Sequence, residues 1–237
     1  MTDKSQCAKC SARFCLPDIA ADQKPDFSKA PSFCPTRLTR DVIENSLYEY
    51  DRDDIREFAR QASLQEAQCY EHTPQGLIPR IPRIEETMQF AQKNGYQKLG
   101  LAFCLGVARE ARTVGEIFEV NDFDVVSVCC KVGAVPKERI GIKPEEKIFE
   151  PDVYESMCSP ITQAEVLNSQ GIDLAIVMGL CVGHDSLFIK YCRAPITVLA
   201  VKDRVMGHNP LAPVYVAHSY YGRLRRPGKP KKLMSEL

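Results

Sequence analysis

The sequence predicts an α/β fold: a doubly wound, mostly parallel sheet with an N-terminal cysteine-rich metal-binding knuckle. Two observations carry that expectation. From Pro82 onward, short apolar runs rich in β-branched residues alternate with segments of helical periodicity, the pattern of helices laid on both faces of a parallel sheet. Ahead of that alternation, Cys7, Cys10, Cys15 and Cys34 fall in a segment broken by four prolines. Such a segment buries little apolar surface alone, and a metal would hold it. The apolar share of 44 % over 237 residues is enough for a sizeable core.

The expected organisation is a knuckle over residues 1–40, then a core over 41–237 with a helical lead-in and a basic tail. In the lead-in, residues 40–50 carry Val42, Ile43, Leu47 and Tyr50 at helical spacing. Asp53 or Asp54 then caps a second helix bearing Ile55, Phe58, Ala59 and Ala62. Residues 72–82 hold three prolines and a glycine and read as a connector. Pro82 opens a helix with Ile84, Met88 and Ala91 on one face, stopped at Asn94-Gly95. Strands follow at 98–104, 123–130, 172–179 and 196–201, with helices at 107–119, 161–169 and 185–191 between them. Residues 214–218 are expected to add an edge strand. The long stretch 131–157 reads equally as a functional lid or a surface insertion.

Composition removes several classes of function. Lys+Arg and Asp+Glu both number 31, so no global field draws the chain to nucleic acid or an acidic surface. The longest apolar runs, 99–108 and 174–182, are too short to cross a bilayer, and residues 1–6 are polar with no apolar stretch behind them. The expectation is a cytoplasmic protein. In a reducing compartment, eleven cysteines point to metal or catalysis rather than disulfides.

The knuckle opens with Cys7-Ala8-Lys9-Cys10, two thiolates able to bite one metal from a tight turn, and Cys15 and Cys34 complete a four-sulfur shell. Zinc takes such a shell, and so does an iron–sulfur cluster. The order CxxC-x4-C departs from the CxxCxxC run of bacterial ferredoxins, so both stay open.

In an open parallel sheet, ligands bind outside the carboxyl ends of the strands. Cys104, Cys130 and Cys181 end or follow expected strands, and Cys158 precedes a helix start that favours a thiolate. Of the vicinal pair Cys129 and Cys130, alternation sends one to each face, and Cys130 lies nearer the loop. The stretch Gly179-Leu180-Cys181-Val182-Gly183-His184-Asp185 turns tightly about Cys181, with Asp185 able to cap a helix or orient His184. Two chemistries fit. Cys104, Cys130, Cys158 and Cys181 ligate a second cluster with His184 as proton donor, or Cys181 is a nucleophile activated by His184. Against both stands the reading of cysteine as a small buried hydrophobe, which suits Cys69 and Cys192. Lys131, Lys202, Arg204, His208 and Asn209 share the predicted loop side and suit an anionic substrate, or are simply solvated. No phosphate loop, GxGxxG, GxSxG or HExxH occurs. The basic tail, from Arg223 to Lys232, lacks the aromatic residues that stack on bases, so nucleic acid is not expected.

The opening CxxC-x4-C, Phe33-Cys34-Pro35-Thr36, Val128-Cys129-Cys130-Lys131-Val132-Gly133, the stretch from Gly179 to Phe188 and that from Val201 to Pro210 together resemble a family of uncharacterised metal-binding proteins of anaerobic bacteria and archaea. The resemblance runs from about residue 7 to residue 216. It implies a metal on Cys7, Cys10, Cys15 and Cys34 and supplies no activity, while an anaerobic setting favours iron–sulfur chemistry. The leading expectation is therefore an iron–sulfur redox or sulfur-handling enzyme. Cys181, His184 and Lys131 would be its catalytic residues, with a small anionic substrate and an electron-donor protein as partners. The rivals are a structural-zinc protein with a metal-free Cys181/His184 site, and a non-enzymatic metal-binding module.

Overall fold

The computed structural model describes residues 4–11, 14–16 and 26–225, so parts of the knuckle and the basic tail from Arg226 on lie outside the described residues. The chain divides into two compact units, Met1–Gln68 and Cys69–Leu237. In the first, short 3-10 turns at Cys7–Lys9 and Phe27–Lys29 lead to helices α1 (Pro35–Leu38), α2 (Arg40–Leu47) and α3 (Asp53–Gln68). Cys34 is extended, and Pro35 in the first turn of α1 supplies a φ already suited to a helix. The Gln6 N–H donates to the Phe33 carbonyl at 3.2 Å and so ties the first cysteines to the segment of the last. α3 begins with Asp53 and Asp54, acids placed where the helix dipole favours them.

The second unit opens with a feature the sequence reading missed. Residues 70–79, which run into the expected connector at 72–82, form an antiparallel hairpin of β1 (Tyr70–Thr73) and β2 (Gly76–Pro79). The Thr73 hydroxyl accepts from the Gln75 N–H and donates to the Gly76 carbonyl, closing the turn. Pro74 falls within that turn and Pro79 ends its strand, positions where a missing N–H is tolerated.

Next come α4 (Arg83–Lys93), β3 (Lys98–Phe103), α5 (Ala108–Glu119), β4 (Asp124–Cys129), α6 (Pro160–Ser169), β5 (Leu174–Met178), α7 (His184–Tyr191) and β6 (Ile196–Ala200). The four strands are parallel, in the order β4-β3-β5-β6. One face packs Ala91 of α4 and Ala111, Val114 and Phe118 of α5 against Leu99, Leu101, Leu174 and Ile176. The other packs Ala164 and Leu167 of α6 and Phe188 of α7 against Ala102, Ala175 and Val177. Helices thus cover both faces of a sheet in which β5, one of its two inner strands, is buried at all five positions, as parallel sheets require. The doubly wound α/β expectation holds.

The winding reverses once. From β3 the chain moves outward to β4, then crosses back to β5 and on to β6, so the reversal lies between β3 and β5. At their carboxyl ends such a point leaves a crevice. In place of the expected strand at 214–218, residues 214 and 215 end a short helix, α8 (Ala212–Tyr215), and 216–218 are turn. Pro213 sets a helical φ in the first turn of α8. The N–H groups of Val214 and Tyr215 both find the Leu211 carbonyl, at 3.0 and 3.1 Å, so the backbone needs no sheet partner. The stretch 131–157 is folded on itself. Pro136 and Ser156 form an antiparallel bridge, the Met157 N–H reaches Val135 at 2.8 Å, and Lys137 pairs with Glu155. Among the described residues, no helix is long and apolar enough to cross a membrane.

Candidate thiol site

The backbone ladder of the sheet runs one residue past its strands and so fixes the site. The Cys104 N–H donates to Met178 at 3.1 Å, the Cys130 N–H to Phe103 at 2.8 Å and the Gly179 N–H to Ala200 at 2.7 Å. Cys104 and Cys130 are therefore held in register at adjacent strand ends. The Ser159 N–H then donates to the Cys130 carbonyl at 2.8 Å, which brings Cys158 and the start of α6 to the same place.

The Cys130 thiol, 2 % exposed, lies within hydrogen-bonding reach of both Cys104 and Cys158. Lys202 stands against Cys104, and Lys131 against Cys158. The order Lys202, Cys104, Cys130, Cys158, Lys131 is thus a continuous row of three sulfurs closed at each end by an ammonium group. Hydrogen bonding from Cys130, helped by the Gly106 N–H and Lys202, pulls the Cys104 thiol down to about 4. Cys130, with Lys131 and His184, pulls Cys158 down to about 5. Cys130 itself is pushed up, because both neighbours hold its proton. The Leu105 N–H also donates to the Cys130 sulfur, at 3.4 Å. The three titrate as a unit, two thiolates about one thiol.

Cys181 has a different partner. Its sulfur accepts from Arg204 Nη2 at 2.8 Å. Asp185 caps rather than orients: its carboxylate accepts from the N–H groups of Gly183 and Ser186 at 3.0 and 2.7 Å. His184 Nδ1 is buried without a partner. Lys131 Nζ also donates to the Ser156 carbonyl. Asp203 organises the following loop through the N–H groups of Val205 and Met206, and His208 Nδ1 accepts from the Asp203 N–H. Cys192 packs under α6 and α7, and burial pushes its thiol up, as suits a small hydrophobe.

One contributor escaped the sequence reading. Gln163, fully buried, donates from Nε2 to the carbonyls of Phe103 (3.1 Å) and Val128 (2.7 Å), just before Cys104 and Cys129. Its signal was available, since Pro160, Gln163, Ala164 and Leu167 form one buried stripe of α6. Gln163→Met keeps the volume and removes both bonds. It should cost about 2 kcal/mol, read as a fall in urea midpoint at unchanged slope.

In the first unit, Cys7, Cys10, Cys15 and Cys34 line one cavity of about 290 Å³ together with Phe14, Leu16, Phe33 and Pro35. Among the described residues, no group of three or more His, Cys, Asp or Glu side chains is drawn together tightly enough to hold a metal ion.

The fold and site define an α/β protein with a lysine-bracketed cysteine row at the point where its parallel sheet changes direction. The chain belongs to the family described as "Protein of unknown function (DUF1847)", which matches residues 34–199. It is 35 % identical over 224 residues to an uncharacterized protein of the archaeon Methanocaldococcus jannaschii, covering 94 % of this chain and all of that one. Crystal structures of Dph2 from Pyrococcus horikoshii, one with a 4Fe-4S cluster, match 63 % of this chain and 34 % of theirs. The identity is 13 % and the TM-score 0.34. This chain therefore spans about a third of Dph2, and so slight a likeness carries no argument.

Proposed function

We propose that this protein is an enzyme of sulfur or redox chemistry, with Cys104, Cys130 and Cys158 as its reaction site and an iron–sulfur centre on Cys7, Cys10, Cys15 and Cys34. The observation that carries the reading is the cysteine row between Lys202 and Lys131. Three thiols meeting by chance in a core would be neutral and unbracketed. Here two are held as nucleophiles and the third keeps an exchangeable proton. Lys131 steadies charge on Cys158. Arg204 holds Cys181 beside the same crevice, and His184 offers an unpartnered nitrogen for a proton.

For the first unit, the donor set and its cavity favour a cluster over zinc. A single zinc would draw four sulfurs to about 2.3 Å from one point. The cavity of about 290 Å³ that they line leaves room for several atoms, with Phe14, Leu16, Phe33 and Pro35 among its walls. When bound, the cluster would supply electrons one at a time, and an electron-donor protein would be its partner.

A second reading places another cluster on Cys104, Cys130 and Cys158, favoured by the convergence of three sulfurs on one crevice. Metal and sulfide analysis of protein purified without oxygen separates the two. The expected result is one cluster's worth of iron and acid-labile sulfide, lost with Cys7→Ala and kept with Cys104→Ala. Two clusters' worth, halved by Cys104→Ala, would replace it with the second reading. One zinc without sulfide would overturn the iron–sulfur assignment.

A further inference from the structure

We propose that the site takes a sulfane-sulfur oxyanion, of which thiosulfate is the simplest, and moves its outer sulfur onto Cys104. This rests on the reading of the cysteine row as the reaction site and names its substrate.

The charges in the crevice point to an anion. Lys131 and Lys202 answer the two thiolates of the row, and Arg204 is a further cation. It donates one N–H to Cys181. Among the described residues, no carboxylate pairs with Arg204 or Lys202. Arg204 is exposed and Lys202 half-buried, two residues apart on the loop after β6. Two cations on one loop without carboxylate partners suit an oxyanion.

The position of Lys202 selects the atom an anion would meet. A methyl group on Gly106 would stand 3.2 Å from Lys202 Nζ and 3.9 Å from Cys104 Sγ. On Gly179 it would stand 3.8 Å from Lys202 Cε. The lysine therefore runs past Gly179, where Val107 packs closer still, and its ammonium ends at Gly106 beside the Cys104 sulfur. An anion drawn to Lys202 arrives against Cys104.

The nucleophile then narrows the class. A thiolate attacks sulfur readily and leaves carboxylates and sulfate untouched. A phosphate ester is an oxyanion a cysteine can attack, but passing on a phosphoryl group makes no use of a row of further sulfur acceptors. The groups next to Cys104 are thiols, which accept sulfur. Thiosulfate carries both required ends: a sulfonate for the cations and an electrophilic sulfur for Cys104. The Cys104 thiolate forms a bond to the outer sulfur, and the S–S bond of thiosulfate breaks with its electron pair leaving on sulfite. The products are a Cys104 persulfide anion and sulfite; three negative charges stand on each side, and no outside oxidant or reductant enters. Transfer to an acceptor thiolate restores Cys104 and forms the acceptor's persulfide.

The test uses the full chain purified without oxygen, with its metal centre intact. Thiosulfate should release one sulfite per chain in a burst and add about 32 Da to the peptide bearing Cys104. Arg204→Gln should raise the thiosulfate concentration for half-maximal loading about tenfold. The same variant should leave alkylation of Cys104 by neutral iodoacetamide unchanged, which separates a lost seat from a damaged thiol. If Cys104 is alkylated far faster than Cys192 but thiosulfate yields neither sulfite nor mass gain, the substrate class is wrong and the thiol site stands. If Cys104 is alkylated no faster than Cys192, the reading of the row itself fails. Cys104-dependent hydrolysis of p-nitrophenyl phosphate would overturn the proposal in favour of phosphoryl transfer.

Discussion

Cys130→Ala should slow alkylation of Cys104 and Cys158 at pH 6 about a hundredfold, because it removes the proton that both thiolates share. Hydrogen bonding from Cys130 is the largest cause of the fall to about 4 at Cys104 and about 5 at Cys158. In the native protein, iodoacetamide reactivity at these two sites should stay level from pH 9 to about 6 and fall off only through pH 5 to 4. In the variant that acid limb should move well toward the ordinary thiol range. A pH–rate profile with the alkylated peptides identified by mass checks this. An acid limb unmoved by the substitution would mean that the lysines, not the shared proton, hold the thiolates.

The same shifts give a stability trend. In the folded chain Cys104 and Cys158 lose their protons near pH 4 to 5, while in the unfolded chain they keep them up to about 9. Between those limits the unfolded state binds more protons, so the two groups contribute stability that grows as pH rises from about 5 to 9. It is lost again as pH falls through the folded values. The raised Cys130 thiol works the other way, holding its proton where an unfolded cysteine has begun to release it, so its effect enters only at the alkaline end.

The largest effect on stability should come from Phe118→Ala. Phe118 is fully buried on α5 and meets Phe123 edge to face, with centroids 6.4 Å apart and planes at 77°. Both belong to the cluster that seals one face of the sheet against α4 and α5. Losing the ring removes its burial, leaves a cavity among neighbours fixed by the sheet and ends the ring pair. The expected cost is about 3–5 kcal/mol, or a fall of about 6–20 °C in melting temperature for a chain of this size. A calorimetric shift of less than a few degrees would mean that the surroundings collapse onto the space.

What the sequence alone determined is local or periodic. Alternating β-branched runs and helical stripes identified β3 to β6 and α4 to α7, because burial on both faces of a parallel sheet writes itself into hydrophobicity. Pro82 and Asn94-Gly95 marked the ends of α4 through backbone chemistry that needs no partner. The hairpin at 70–79 was hidden because it is built mainly from exposed residues, so no alternation betrays it. The short helix at 212–215 was hidden because Val214 and Val216 mimic alternation over too few residues to separate the two periods.

For the site, strand ends could be counted from the sequence, and that count already placed Cys104 and Cys130 at one edge. Only the tertiary structure decided that Cys158 completes the row while Cys181 turns to Arg204. That choice depends on which strands are neighbours, on the Ser159 to Cys130 hydrogen bond and on Gln163 spanning two strands. Contacts between residues 104, 130, 158 and 202 are set by strand order, and strand order is a property of the assembled sheet that no local run of residues carries.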